Sequence, residues 1–189
     1  MLRALLVLIL LTQLSGCVSV VAVGAAGTAA VSASDRRTVG TQIDDKTIEA
    51  RVNSAINKLE GTDESAAISV HAYNGQVLLT GQANQQSIIN NAALVASKVP
   101  EVTKVHNQIR LGPPIPATAT MNDIWLGTKI RTLMTADENV PLLKLDLIVE
   151  DSEVFIMGKL TKQEATAAVE VARNVTGVTK VIRVMELTN

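Results

Sequence analysis

Aromatic side chains are almost missing from this chain of 189 residues: one Trp, one Tyr and one Phe amount to 2% of it. Its cores must therefore be filled with aliphatic side chains and alanine, and each aromatic that does occur carries an unusual share of contact area. Cysteine occurs once and histidine twice. That excludes a disulfide framework within one chain and leaves too few ligands for a Cys/His zinc site. Neither sign of charge dominates, with 17 Lys and Arg against 18 Asp and Glu, so no basic footprint for nucleic acid exists. Gly-rich phosphate loops are absent too. Ser69 lies two residues from His71, but no Gly-x-Ser-x-Gly turn or separate acid accompanies them, so a nucleophilic triad cannot be assembled. His71 and His106 read as strand residues. Asp63/Glu64 and Asp137/Glu138 fall in equivalent loops, lack the further oxygen ligands of a calcium loop, and read as solvated charges. Neither a cofactor nor a metal nor enzymatic activity is expected.

What is present begins with an apolar run. After Arg3 comes Leu5 to Leu11, and small residues then lead into Cys17, the pattern of a secretory signal peptide over residues 1–16. Leu14-Ser15-Gly16-Cys17 resembles the lipobox of bacterial lipoproteins. That resemblance implies cleavage before Cys17, two acyl chains on its sulfur and a third on the new amino terminus. The next residue is Val18, not Asp, which among lipoproteins of diderm bacteria implies sorting to the outer membrane. A spanning helix from Leu2 to about Val31 is opposed by the Gly, Ala, Ser and Thr content of Val18–Ala33. Acyl chains anchor without one, at about 0.8 kcal/mol per buried CH₂. Residues 17–43 are thus expected to be a flexible tether, with Arg36 and Arg37 solvated in it.

From Asp44 the chain repeats itself. Asn74–Gly81 matches Asp151–Gly158 at a spacing of 77, and Val99–Val105 matches Val175–Val181 at 76. Units of this length are too long for a solenoid. They fit two tandem small domains, 44–112 and 120–189, joined by a Pro-rich linker at 113–119. In the first copy Asp44/Asp45 can cap a helix whose apolar face is Ile48, Val52, Ile56 and Leu59. Strands over Ile68–Ala72 and Val77–Thr80 flank Asn74-Gly75, a type I′ hairpin signal. A helix with Ile88, Ala92, Ala96 and Val99 on one face ends near Pro100, and Val102–Leu111 is the last strand. The second copy gives the same order, its second helix opening with a Thr161/Glu164 capping box. Gly81 and Gly158 follow the second strands, where a positive φ is expected. The fold class is α+β: two αββαβ two-layer sandwiches, each with both helices on one face of a mixed sheet.

The V-x-L-x-G at Val77/Leu79/Gly81, the V-x-I-x-G at Val154/Ile156/Gly158, the Ala-rich second helices and the V-x-x-V motifs at Val102–Val105 and Val178–Val181 resemble the BON domain over Asp44–Leu187. A lipobox, a small-residue tether and two BON copies together imply a non-enzymatic lipoprotein on the periplasmic face of the outer membrane. The resemblance further implies binding of anionic phospholipid (phosphatidylglycerol or cardiolipin) through the second BON domain, a role in envelope integrity, and enrichment at the division septum.

The residues of the second copy's first helix point the same way. Leu126, Ile130 and Leu133/Met134 form its core stripe, which leaves Ile124 and Trp125 outside with Thr128, Lys129, Arg131, Thr132 and Thr135. The sister copy has Lys46-Thr47 where this one has Ile124-Trp125, so its outer face reads as polar. A lone Trp flanked by cations suits a membrane interface, where Trp sits at headgroup depth and Lys or Arg reach phosphate. Two other occupants stay open for this face: a contact with the first copy or an oligomer, and a protein partner from envelope assembly or peptidoglycan remodelling.

Overall fold

The computed structural model describes residues 35–59 and 66–188. The expected signal peptide, Cys17, the first part of the tether and the Asp63/Glu64 loop lie outside the described residues.

The first domain runs α1 (Val39–Ile56), β1 (Ala66–Tyr73), β2 (Gln76–Ala83), α2 (Gln86–Ser97), β3 (Lys104–Asn107) and β4 (Arg110–Leu111). The second runs α3 (Ala117–Thr135), β5 (Leu145–Glu150), β6 (Glu153–Thr161), α4 (Lys162–Arg173) and β7 (Lys180–Thr188). In each, an antiparallel hairpin is extended by a parallel strand, giving the orders β1-β2-β3 and β5-β6-β7. The two sheets share one topology, as the duplication requires. The last strand of the first domain is broken where a single one is expected. Asn107 Oδ1 accepts from the Ile109 amide at 3.2 Å while its Nδ2 donates to the Ile89 carbonyl, a local turn that competes with the ladder.

Both helices of each domain pack on the same sheet face. Ile48, Val52 and Ile56 of α1 meet Ile88, Ala92 and Ala96 of α2 over Val77 and Leu79. Leu126, Ile130 and Met134 of α3 meet Ala165, Ala168 and Ala172 of α4 over Val154 and Ile156. Neither cluster contains an aromatic; alanine on α2 and α4 lets the helices approach closely. Tyr73 and Phe155 serve elsewhere. With Leu78, Met157 and Val184 they form a third buried cluster, on the sheet faces away from the helices, so the two sheets pack back to back. β2 and β6 are thereby covered on both faces, and Val77-Leu78-Leu79 and Val154–Met157 read as continuous apolar runs for that reason.

The hairpin turns are held by a device that the sequence reading misassigns. α1 starts at Val39, within the expected tether, and its cap is Thr38, whose Oγ1 accepts from the Thr41 amide. Asp45 is not a cap but a buried mid-helix residue. Its carboxylate accepts from the Asn74 and Gly75 amides at 2.8 and 2.9 Å. The second domain repeats the contact: Asp123 of α3 accepts from Asp151 and Ser152 at 2.7 and 2.8 Å. Both turns have positive φ at both central residues, as a type I′ turn demands. Only the first has a glycine to relieve it; in the second the charge-assisted bonds hold Asp151 and Ser152 in place.

Gly81 and Gly158 lie inside β2 and β6, not after them. Gly81 has φ +104° and a Cβ there would sit 1.9 Å from the Ala67 carbonyl oxygen. Gly158 has no positive φ; its place is fixed by close approach alone, with a Cβ 2.9 Å from the Lys144 oxygen.

Candidate functional site

α3 begins at Ala117 after Pro116 in extended backbone, so the linker is shorter than expected and its last three residues join the helix. Nineteen residues of helix place Asp123, Leu126, Gly127, Ile130 and Met134 inward. At 100° per residue Met134 falls between Asp123 and Gly127 within that arc, whereas Leu133 falls about 20° beyond its edge at Leu126. Leu133 is 44% exposed and Met134 fully buried. The core stripe is therefore Leu126/Ile130/Met134, and Leu133 belongs to the outer surface.

That surface is apolar for much of its extent. Met121 is 70% exposed, Ile124 66% and Trp125 55%. Trp125 lies outside the buried sheet-to-sheet cluster that holds Tyr73. Lys129, one turn along, holds its Nζ 4.8 Å from the Trp125 ring centroid, a cation–π contact on the exposed side. Thr128, Thr132 and Thr135 each donate their hydroxyl to the carbonyl four residues earlier, at 2.9, 3.0 and 2.8 Å. Their donors are thus used within the helix, on side chains that are themselves exposed. The sequence does not assign Met121 to this face and assigns Leu133 to the core stripe instead. The signal was available: they stand four residues before and eight after Trp125.

Arg131 departs from its sisters. Its Nη2 donates to the Leu147 carbonyl at 2.6 Å, which satisfies an acceptor on the open edge of β5. Gly127 makes room: a Cβ there would lie 3.0 Å from Arg131 Nη1. In the first domain Asn53 aligns with Arg131, and it is Glu49, in the place of Gly127, that accepts from the Ala72 amide on the edge of β1. One copy guards its edge with a carboxylate and the other with a guanidinium. Arg131 and Ile124 thus stand on the wall of a cleft of about 700 Å³ between the domains, shared with Ser69, His71, Asp146 and Glu150. Burial pushes the pKa of His71 below its ordinary value despite Glu49 and Asp146. Burial pushes that of Glu150 up, against the bond donated by Gln82. His106 is lowered by burial and by Lys104, and its Nε2 lies 2.8 Å from Gln76 Oε1. Asp137 accepts from its own loop at Asn139.

The equivalent face of α1 is less polar than the sequence comparison suggests. Ile43, aligned with Met121, is 61% exposed, and Val39 is exposed beside it. Thr47 stands in place of Trp125 and bonds back to the Ile43 carbonyl. What separates the two faces is therefore Ile124 in place of Lys46, the tryptophan itself, and Leu133 where the first copy has Ala55.

The BON domain family matches residues 44–113 and 122–189. Over 173 residues the chain is 36% identical to "Outer membrane lipoprotein DolP" of Haemophilus influenzae, covering 92% of this chain and 89% of that protein. It is 42% identical over 151 residues to a "21 kDa hemolysin" of Actinobacillus pleuropneumoniae, covering 80% and 78% respectively. The C-terminal domain of CdsD, a structural protein of the type III secretion system of Chlamydia trachomatis, aligns over 74% of this chain and 96% of its own at 9% identity. Its TM-score of 0.27 is too slight a likeness to bear on the fold. Two matched domains and this level of identity along nearly the whole chain settle the family: the chain belongs to the BON-domain family, as a dual-BON protein of the DolP-like kind.

Proposed function

We propose that this protein is a non-enzymatic lipoprotein of the outer membrane, facing the periplasm, that binds anionic phospholipid through the outer face of α3. The observation that carries the reading is the exposure of Trp125 among Met121, Ile124 and Leu133, with Lys129 against its ring. Those four apolar side chains expose on the order of 400–500 Å² together, at the upper end of what a soluble monomer leaves bare. At about 25 cal/mol/Å², burying half of it in the interfacial zone is worth roughly 5–6 kcal/mol. Lys129 adds attraction to phosphate of about 1 kcal/mol near an anionic surface. The exposed threonines let the helix lie close, and Arg131 contributes from the flank with the nitrogens that Leu147 does not use. Such binding is weak alone, and acylation of Cys17 raises the local concentration of the surface so that weak contacts suffice. Among the described residues no helix is long and apolar enough to cross a membrane; in this reading attachment rests on the acyl chains and this face. The name of the Haemophilus relative supports the location. Support of envelope integrity and enrichment at the division septum belong to the same reading.

The test uses the Cys17→Ser protein, so that acyl insertion does not mask α3. Co-sedimentation with vesicles containing phosphatidylglycerol or cardiolipin is expected to weaken at least tenfold in Trp125→Glu, a loss of about 1.4 kcal/mol or more. Equal binding by the two proteins rejects the reading. The same patch, with a methionine at its edge, also suits an envelope-assembly protein or the activator of a peptidoglycan enzyme. A photo-crosslinker at position 125 giving a discrete protein adduct in cells, with no lipid-dependent change, favours that second reading.

A further inference from the structure

Two consecutive arginines are taken up by different domains. Arg36 reaches the second: its Nη1 donates to the Lys159 carbonyl at 2.7 Å and to Glu164 Oε2 at 2.6 Å, while Nη2 donates to Oε1 at 3.0 Å. This is a two-pronged guanidinium–carboxylate pair, the strongest geometry such groups have. Glu164 is fixed from the other side by the capping box at the start of α4, where it accepts from the Thr161 amide at 2.8 Å. Arg37 turns to the first domain. Its Nη1 donates to Asp45 Oδ2 at 3.0 Å, and its guanidinium stacks 3.7 Å from the Tyr73 ring centroid. Tyr73 in turn donates its hydroxyl to the Lys144 carbonyl of the second domain at 3.0 Å.

The seam that these contacts close is otherwise modest. Its apolar centre is five buried residues, Tyr73, Leu78, Phe155, Met157 and Val184. Its rim holds the single polar ties Asn74 to Glu186 and Gln82 to Glu150, and one further bridge in which Arg110 of the first domain reaches Asp151 and Glu153 of the second at 2.5 Å each. A seam of this kind, between domains that each have their own core, permits relative motion by default. Stapling one chain segment to both partners removes it.

We propose that Arg36 and Arg37 form a staple across the two domains, fixing their mutual orientation. By sequence Arg36 leads into the first domain. By contact it is held by the second, the one that carries Trp125. With Arg36 on the second domain and Arg37 on the first, the two domains move as one body. This holds whatever α3 binds.

Two variants of the full chain test it. Glu164→Gln removes the charge and keeps a side chain that serves a capping box. Arg36→Gln removes the other partner and cannot touch the box. Trypsin cleavage after Arg37 is expected to be slow in the parent protein and to rise at least tenfold in both variants. A spin-label pair at Ser54 and Gln163, both exposed helix positions of opposite domains, is expected to give one narrow distance distribution in the parent and a broadened one in both variants. Unchanged cleavage and unchanged distances overturn the proposal. So does acceleration in Glu164→Gln alone, accompanied by loss of helix signal, because Glu164 would then act only as the cap of α4.

Discussion

Removing the carboxylate of Asp123 should loosen the second domain by a predictable amount. In Asp123→Ala the amides of Asp151 and Ser152 lose bonds of 2.7 and 2.8 Å to a buried charge. Hydrogen bonds to charged acceptors are worth about 1.5–3 kcal/mol each. Water can reach this half-buried turn, so the lower end applies and the loss comes to roughly 3 kcal/mol. With an m-value near 2–3 kcal/mol/M for a unit of this size, the urea midpoint falls by about 1–1.5 M. Far-UV circular dichroism follows the transition, and amide resonances of α3 assign it to the second domain. Ser152 is held at φ +63° without glycine's freedom. Adding Ser152→Gly to Asp123→Ala should therefore recover about 1 kcal/mol by giving this turn the residue that its sister has in Gly75. Asn122→Ala removes only an exposed 3.3 Å contact to the same turn and should cost less than about 0.5 kcal/mol. A loss below 0.5 kcal/mol in Asp123→Ala, or the same loss in Asn122→Ala, would refute the clamp.

Two further outcomes follow from the same packing. Met134→Ala opens a hole in the second core and is expected to cost about 2–4 kcal/mol, whereas Leu133→Ala should leave the melting temperature within about 2 °C, since its side chain faces outward; equal losses in thermal denaturation would contradict the assignment of the stripe. The burial of His71 lowers its pKa in the folded state, so the unfolded chain binds the proton first. Stability should then be flat above about pH 6.5, fall as the pH drops below that value, and level off once the folded imidazole also titrates. His71→Gln is expected to flatten this limb of a urea-midpoint-against-pH series, and an unchanged slope would show that His71 is not its source.

How much could be read in advance depended on the range of the interaction. The Thr161/Glu164 box is complete within four residues, and its two bonds are formed as expected. Asp45 sits close to where a helix was expected to start, and an acidic residue there reads as a cap. Its real partner lies 29 residues away on a turn, and no local pattern announces that. Leu133 and Met134 are neighbours of equal apolarity, and an eight-residue stripe tolerates either at its end; only the sheet beneath α3 selects one. Arg131 reads as a free cation beside a tryptophan, until the glycine at 127 and the edge of β5 give its guanidinium a carbonyl to hold.

The sequence by itself determined the duplication, the αββαβ order and the aliphatic, alanine-rich cores, because each follows from residue spacing along one segment or its repetition. It also singled out Trp125, by having almost no other aromatic and none at the matching place in the first copy. Where the three aromatics go was decided by the tertiary structure. Tyr73 and Phe155 close the space between two sheets whose outer faces had no other cover. Trp125 stays outside because α3 fills its inner arc with Leu126, Ile130 and Met134. The fate of Arg36 and Arg37 was settled there too. In sequence they stand in a tether, and only the meeting of two folded domains creates the carboxylates and the ring that hold them.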